Sequence, residues 1–274
     1  MLWEELTALN FERAVKDCGG ICVLPIGVLE KHGNHLPLGT DMFSVMEVCK
    51  AAAKAEPAVV FPYYFLGQIA EARHYPGTIN ASHRLMMDCL LEMCDEIARN
   101  GLKKILIMSG HGGNNHFLPF FCQEMPRLDR DYSVYTAFIG STTAEQNKKL
   151  AAAAGTEDLG YHAGLSETSM MMHLRPNLVH MDAQDPADCK RLNRLPGIQE
   201  AGLFTGFNWY ADYPYHFAGD PSLATPELGK MFFNTAVENA VKALKAIKAD
   251  EVSGGLVREY AEYGRKPDAG LKHS

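Results

Sequence analysis

With 274 residues, 47% hydrophobic and 22% charged, the chain has the composition of a globular protein that buries a sizeable core without disulfides or a structural metal. A net charge of −7, with no block of Lys and Arg, excludes nucleic acid and anionic membrane from the expected partners. Seven cysteines, an odd number with no CxxC pair, read as reduced core thiols, and neither a signal-peptide core nor an apolar run of ~20 residues is seen, so a cytoplasmic location is expected.

In chain order, 11–17 reads as a short amphipathic helix stopped by Gly19-Gly20. The apolar run Ile21–Ile26 suits a buried parallel strand. Helical spacing follows over 41–55 and a second strand over 58–61, then a loop whose Tyr75-Pro76-Gly77-Thr78 predicts a type II turn. A strong apolar stripe predicts a helix over 82–100. A third strand is expected over 104–108, a helix over 116–124, a fourth strand over 132–139 and a helix over 142–154. Two more helices are expected over 167–174 and 226–249, and residues 251–274 read as a peripheral tail that frays from about Gly264. Alternation of strand and helix, without repeats or a linker, predicts one α/β domain over 1–274, a mostly parallel sheet with helices on both faces. In such folds ligands sit beyond the C-terminal ends of the strands.

Three clusters of metal-ligating residue types fall in that zone. Glu30, His32, His35 and Asp41 crowd into twelve residues after the first strand. Residues two apart in extended chain point the same way, so Glu30 and His32 can reach one centre. Taken singly, Asp41 or Thr40 reads equally well as a helix N-cap, Glu30 as a solvated loop residue and His35 as a core histidine. Together, four such groups beside a buried strand end favour a divalent transition metal, because a desolvated carboxylate needs a partner. His111 ends the third strand within Ser109-Gly110-His111-Gly112-Gly113-Asn114-Asn115; the spacing fits no phosphate loop. His162 and Glu167 flank Gly164. Glu167 alone reads as a partner of its helix dipole, and His162 as a proton shuttle beside a metal-bound water. Of the other histidines, His74, His83, His116, His173, His180, His216 and His273, none reads as a ligand. Trp209, Tyr210 and Tyr213 read slightly better as core or subunit-contact aromatics than as a stacking surface for substrate.

The run from Glu30 to Asp41 (EKHGNHLPLGTD) resembles the signature of the creatininase family. Tyr75-Pro-Gly-Thr78, Gly110-His-Gly-Gly-Asn114, His162-Ala-Gly-x-x-Glu-Thr-Ser169 and Gly219-Asp-Pro-x-Leu-Ala224 match in the same order, over nearly the whole chain. The resemblance implies a three-layer α/β/α fold, commonly a homohexamer, that hydrolyses amide-type C–N bonds of small molecules with two divalent metals, Zn, Mn or Fe. It implies that Glu30, Asp41 and His111 bind one ion and that His32 and Asp41 bind the other, Asp41 bridging, with His162 carrying the proton. One departure stands out. Creatininase proper has a second-metal carboxylate two residues after the metal-binding His, where this chain has Gly113, so Glu167 is expected to complete that site. The departure weakens creatinine as the substrate while leaving hydrolysis of an amide, cyclic amide or formamide. The alternative is a metal-binding assembly protein without hydrolase activity.

Overall fold

The computed structural model describes residues 1–265. Four strands, β1 (Ile21–Ile26), β2 (Val59–Val60), β3 (Lys104–Ser109) and β4 (Ser133–Phe138), form a wholly parallel sheet in the order β2-β1-β3-β4. The helices are α1 (Ala8–Asp17), α2 (Thr40–Ala55), α3 (His83–Arg99), α4 (Asn114–Glu124), α5 (Ala144–Ala154), α6 (Leu165–Leu174), the short α7 (Pro196–Glu200) and α8 (Asn208–Asp212), α9 (Pro226–Ala249) and α10 (Ser253–Gly264).

Side chains alternate across a strand, and here they sort into two cores. Cys22, Leu24 and Ile26 of β1 and Ile105 and Ile107 of β3 pack against α1, α3 and α4 through Ala14, Leu90, Ile97 and Phe117. Ile21, Val23, Leu106 and Met108 face the other way, onto Val45 and Cys49 of α2 and Ala240 and Leu244 of α9. Both faces are covered, which is why the strands read as continuous apolar runs rather than as alternating ones. The result is the expected three-layer α/β/α arrangement.

The chain runs from β1 outward to β2 and from β3 outward to β4, so the strand order reverses between β1 and β3. That reversal opens a crevice at the C-terminal ends of the two strands. Two glycines allow α2 to start there. A Cβ at Gly27 would lie 2.7 Å from the Met42 nitrogen, and one at Gly110 would overlap the Asp41 carbonyl. Helix α6 is fixed by its crossing with α9, so close at Gly229 that a Cβ there would overlap the Ser169 carbonyl.

The expected elements are present, with shifts at their ends. Ser82 and Thr143, expected inside helices, are N-caps, Thr143 in a capping box with Gln146. Helix α4 starts two residues earlier than expected, within the glycine-rich loop. Gly77 has φ +81° and Thr78 N–H donates to the Tyr75 carbonyl, as a type II turn requires. The peripheral stretch after 251 is helical: Ser253–Gly264 forms α10, none of whose residues is buried, and its Leu256, Val257 and Tyr260 share a cleft with Met125, Tyr132 and Val134. Leu256, Val257, Tyr260 and Tyr263 do fall at helical spacing, on one side of a helix that stays at the surface. Beyond 265 the expected fraying lies outside the described residues, as does His273.

Candidate metal centre

The crevice between β1 and β3 gathers six of the seven residues singled out in the sequence, all but His35. Glu30 and His32 come from the turn after β1, Asp41 from the first turn of α2, His111 from the end of β3, and His162 and Glu167 from the entry to α6. Glu30, His32, Asp41, His111 and His162 are buried, and the Glu167 side chain is 25% exposed. Asp41 is not a helix cap: Gly39 holds the N-cap position without a side-chain bond, and the Thr40 hydroxyl donates to the Pro37 carbonyl.

The imidazoles are aimed by backbone carbonyls, which can only accept. His32 Nδ1–H donates to the Glu30 carbonyl (3.2 Å), His111 Nε2–H to the Gln68 carbonyl (2.7 Å) and His162 Nε2–H to the Lys31 carbonyl (2.8 Å). The remaining nitrogens turn inward, onto carboxylates. His111 Nδ1 lies 2.7 Å from Glu30 Oε1 and 3.1 Å from Asp41 Oδ2. His32 Nε2 lies 3.1 Å from Asp41 Oδ1 and 3.6 Å from Glu167 Oε2. A bare lone pair facing a carboxylate is repulsive, so each inward nitrogen must carry a proton or meet a cation. Glu30 Oε1 and Asp41 Oδ2 are buried without a hydrogen-bond partner. Atoms that bind one ion at about 2.0–2.2 Å lie roughly 3–3.5 Å from one another, close to the spacings seen here. The donor set therefore fits divalent cations. Among the described residues, ligand atoms converge in the groups Glu30–Asp41–His111, His32–Asp41–Glu167 and Glu30–His32–His162. Asp41 presents one oxygen to each of the first two groups.

The electrostatics agree. Burial opposes ionisation of Glu30, but the charge of His111 close to Oε1 and the His216 N–H on Oε2 hold its carboxyl well below the usual range. Burial opposes charge on His32, yet Asp41, Glu167 and Glu30 push its pKa up to about 10; Glu30 and Asp41 lift His111 well above its ordinary value against the same opposition. Such a cage holds protons until a cation displaces them. Burial, reinforced by His32, drives His162 well below its ordinary value, so it is neutral. Burial raises Glu167 to about 7, with His32 opposing.

Gly113 is closed to a side chain, because a Cβ there would overlap His111 Nε2 and Gln68. Glu167 does double duty. Its Oε2 accepts from Ala163 N–H (2.7 Å), as the helix-start reading expects, and the same oxygen faces His32. His35 is a core histidine: its Nε2 lies 3.1 Å from the Ala163 carbonyl and 3.0 Å from the Thr168 hydroxyl.

Two residues of the centre escape the sequence reading. His216 does not read as a ligand, yet its Nε2 contacts Glu30 Oε2. Trp209 donates to His216 Nδ1 (3.0 Å) and sets its ring edge-on to His162. The backbone brings them in: Tyr161 N–H and His162 N–H both donate to the Ala218 carbonyl, and Ala218 N–H to the His162 carbonyl. The only sequence hint is the Gly219-Asp-Pro motif close behind His216. Asp41 and Glu167 also line a groove of about 940 Å³, walled by Phe138, Tyr161 and Met170, with Lys148 at its margin. The Tyr75–Thr78 loop is not part of this groove; Tyr75 donates to the Pro214 carbonyl and lies under the Lys31 ammonium.

No helix among the described residues is long and apolar enough to cross a membrane. Residues 4–244 match the Creatininase family model, creatinine amidohydrolase. The chain is 28% identical over 192 residues to creatinine amidohydrolase of Pseudomonas putida, covering 65% of this chain and 73% of that one. It is 26% identical over 232 residues to the mycofactocin precursor peptide peptidase of Mycobacterium ulcerans (strain Agy99), covering 81% and 83%. The structure superposes on the crystal structure of a creatinine amidohydrolase (creatininase) with a TM-score of 0.72 at 21% identity, covering 91% of this chain and 98% of the other. Related creatininase structures include a Mn form, a Zn-Zn form and a complex with creatine. Fold, ordered motifs and comparisons agree: the chain belongs to the creatininase family of hydrolases.

Proposed function

We propose that the chain hydrolyses a C–N bond, of an amide, cyclic amide or formamide, in a small molecule and that it depends on a pair of divalent metal ions. Glu30, Asp41 and His111 would hold one ion, and His32, Asp41 and Glu167 the other. The ions, Zn, Mn or Fe, supply Lewis acidity towards the carbonyl oxygen and a lowered pKa for water. The observation that carries this reading is the pairing of inward imidazole nitrogens with the unpartnered Glu30 Oε1 and Asp41 Oδ2.

The chain's own residues have distinct tasks. The groove beside Asp41 and Glu167 receives the substrate, with Phe138, Tyr161 and Met170 supplying apolar contact. Neutral His162 keeps its Nε2 proton on the Lys31 carbonyl, which leaves Nδ1 free, 4.0 Å from Glu167 Oε2. Nδ1 would take the proton released as water adds to the carbonyl and pass it to the nitrogen that departs as the C–N bond breaks. Trp209 covers His162 from the side and limits water there.

The relatives bear on the substrate. One is named for creatinine and another for a peptide, and the groove is far larger than one small heterocycle fills. With Gly113 closed to a carboxylate, an amide larger than creatinine is favoured.

The test is metal content together with turnover on a panel of small amides, cyclic amides, formamides and short peptides. His162→Ala should keep both metals and lose roughly 10²–10⁴-fold in kcat. Metal binding by the wild type without turnover on any member of the panel would favour the assembly-protein alternative.

A further inference from the structure

His216 lies in the turn between α8 and α9 and is 2% exposed. Its φ of +54° is left-handed, a conformation that non-glycine residues adopt only where their surroundings hold them. Two backbone bonds hold it: its N–H donates to the Tyr213 carbonyl (3.0 Å), and its carbonyl accepts from Gly33 N–H (3.2 Å). The second of these ties it to the turn that carries Glu30 and His32.

The side chain is determined as closely as the backbone. Trp209 Nε1–H can only donate, and it donates to His216 Nδ1 (3.0 Å). Nδ1 is therefore the unprotonated nitrogen, and the ring proton sits on Nε2. That proton is directed at Glu30 Oε2. One Glu30 oxygen is thus engaged, while Oε1 faces His111 Nδ1 and has no hydrogen-bond partner. Without this restraint the carboxylate is free to turn about its last bond, and His162 Nε2 stands 3.9 Å from Oε2 as a competing contact. The imidazole of His216 also packs 4.4 Å from that of His162, and the indole of Trp209 5.7 Å from it.

We propose that Trp209 and His216 are a positioning pair for Glu30: Trp209 sets the His216 tautomer, and His216 holds the Glu30 carboxylate so that a single oxygen faces the cation position. Nothing in this requires either residue to touch substrate. It rests on the metal reading above, and it adds two residues that act on the centre through Glu30. Partners of this kind orient a ligand and tune its affinity.

The experiment is zinc binding to chelator-stripped, full-length protein, by competition with a chromogenic chelator, alongside ¹⁵N spectra of the histidine rings. His216→Phe should weaken one of two zinc ions roughly 10–100-fold and leave the other unchanged. His216→Gln keeps an N–H donor and should recover most of that loss; it also serves if the Phe variant fails to fold. Trp209→Phe should weaken the same ion by less, and Trp209→Phe/His216→Phe should be no weaker than His216→Phe alone, because Trp209 acts through His216. In the wild type, Nδ1 of His216 should give the signal of an unprotonated nitrogen, and Trp209→Phe should erode that preference. Wild-type affinity in His216→Phe, additive losses in the double variant, or a proton on Nδ1 would each overturn the pair. A wild type that binds no zinc would sink the metal reading and this role together, whereas zinc bound equally by wild type and His216→Phe would overturn this role alone.

Discussion

The Glu30, His32 and Asp41 side chains were legible because the chain spends them densely: three ligand types in twelve residues, beside a strand that buries its neighbours. His216 was not, because its function depends on a backbone pairing between 161–163 and 216–218 that leaves no period in the sequence. His35 shows how the same residue type serves the fold. Burial, with His32 nearby, lowers its pKa to about 4, against the Ala163 carbonyl, which raises it. The unfolded chain takes up this proton near pH ~6.5 and the folded chain only near 4, so stability is complete above ~6.5 and is lost as pH falls through that window, by at most about 3 kcal/mol from this group. Urea unfolding at a series of pH values, with chelator present, should show the loss in wild type and a flatter profile in His35→Gln. Parallel profiles would mean that His35 does not titrate differently on folding.

At the scale of elements, the long helices were readable from end to end. Helix α9 has the expected bounds, and α3 lies one residue inside its own at each end, because both have an apolar stripe and a side-chain N-cap. Strand β2 is only two residues long and α7 and α8 only five, too short for any period. The glycines that follow β1 and β3, Gly27 and Gly110, make room for α2. Gly110→Ala would drive a Cβ into the Asp41 carbonyl and against the Val45 side chain. It should destabilise the fold by about 1–3 kcal/mol, as overpacking does, and weaken metal binding because Asp41 moves with its helix. Thermal melts of the stripped protein and metal titrations read the two effects separately. Wild-type values in both would show that the approach of α2 to β3 is looser than described.

For the molecule as a whole, the parallel sheet and the position of the site at its strand reversal followed from the alternation of strand and helix. How subunits associate did not. The aromatic segment after residue 203 divides: Phe217 is buried, whereas Phe204 is 81% and Phe207 70% exposed. Leu203, adjacent in sequence, is exposed too, and clustered apolar side chains left in solvent are characteristic of association surfaces. Light scattering should therefore give a multiple of the 30.3 kDa chain mass, and a value of one chain would refute it. Whether two ions share Asp41 is read from the metal content of purified, metal-loaded protein. Wild type should hold two ions per chain, Glu167→Gln one, and Asp41→Asn close to none, because Asp41 offers an oxygen to both groups. Undiminished metal in Asp41→Asn would rule out a centre built on Asp41.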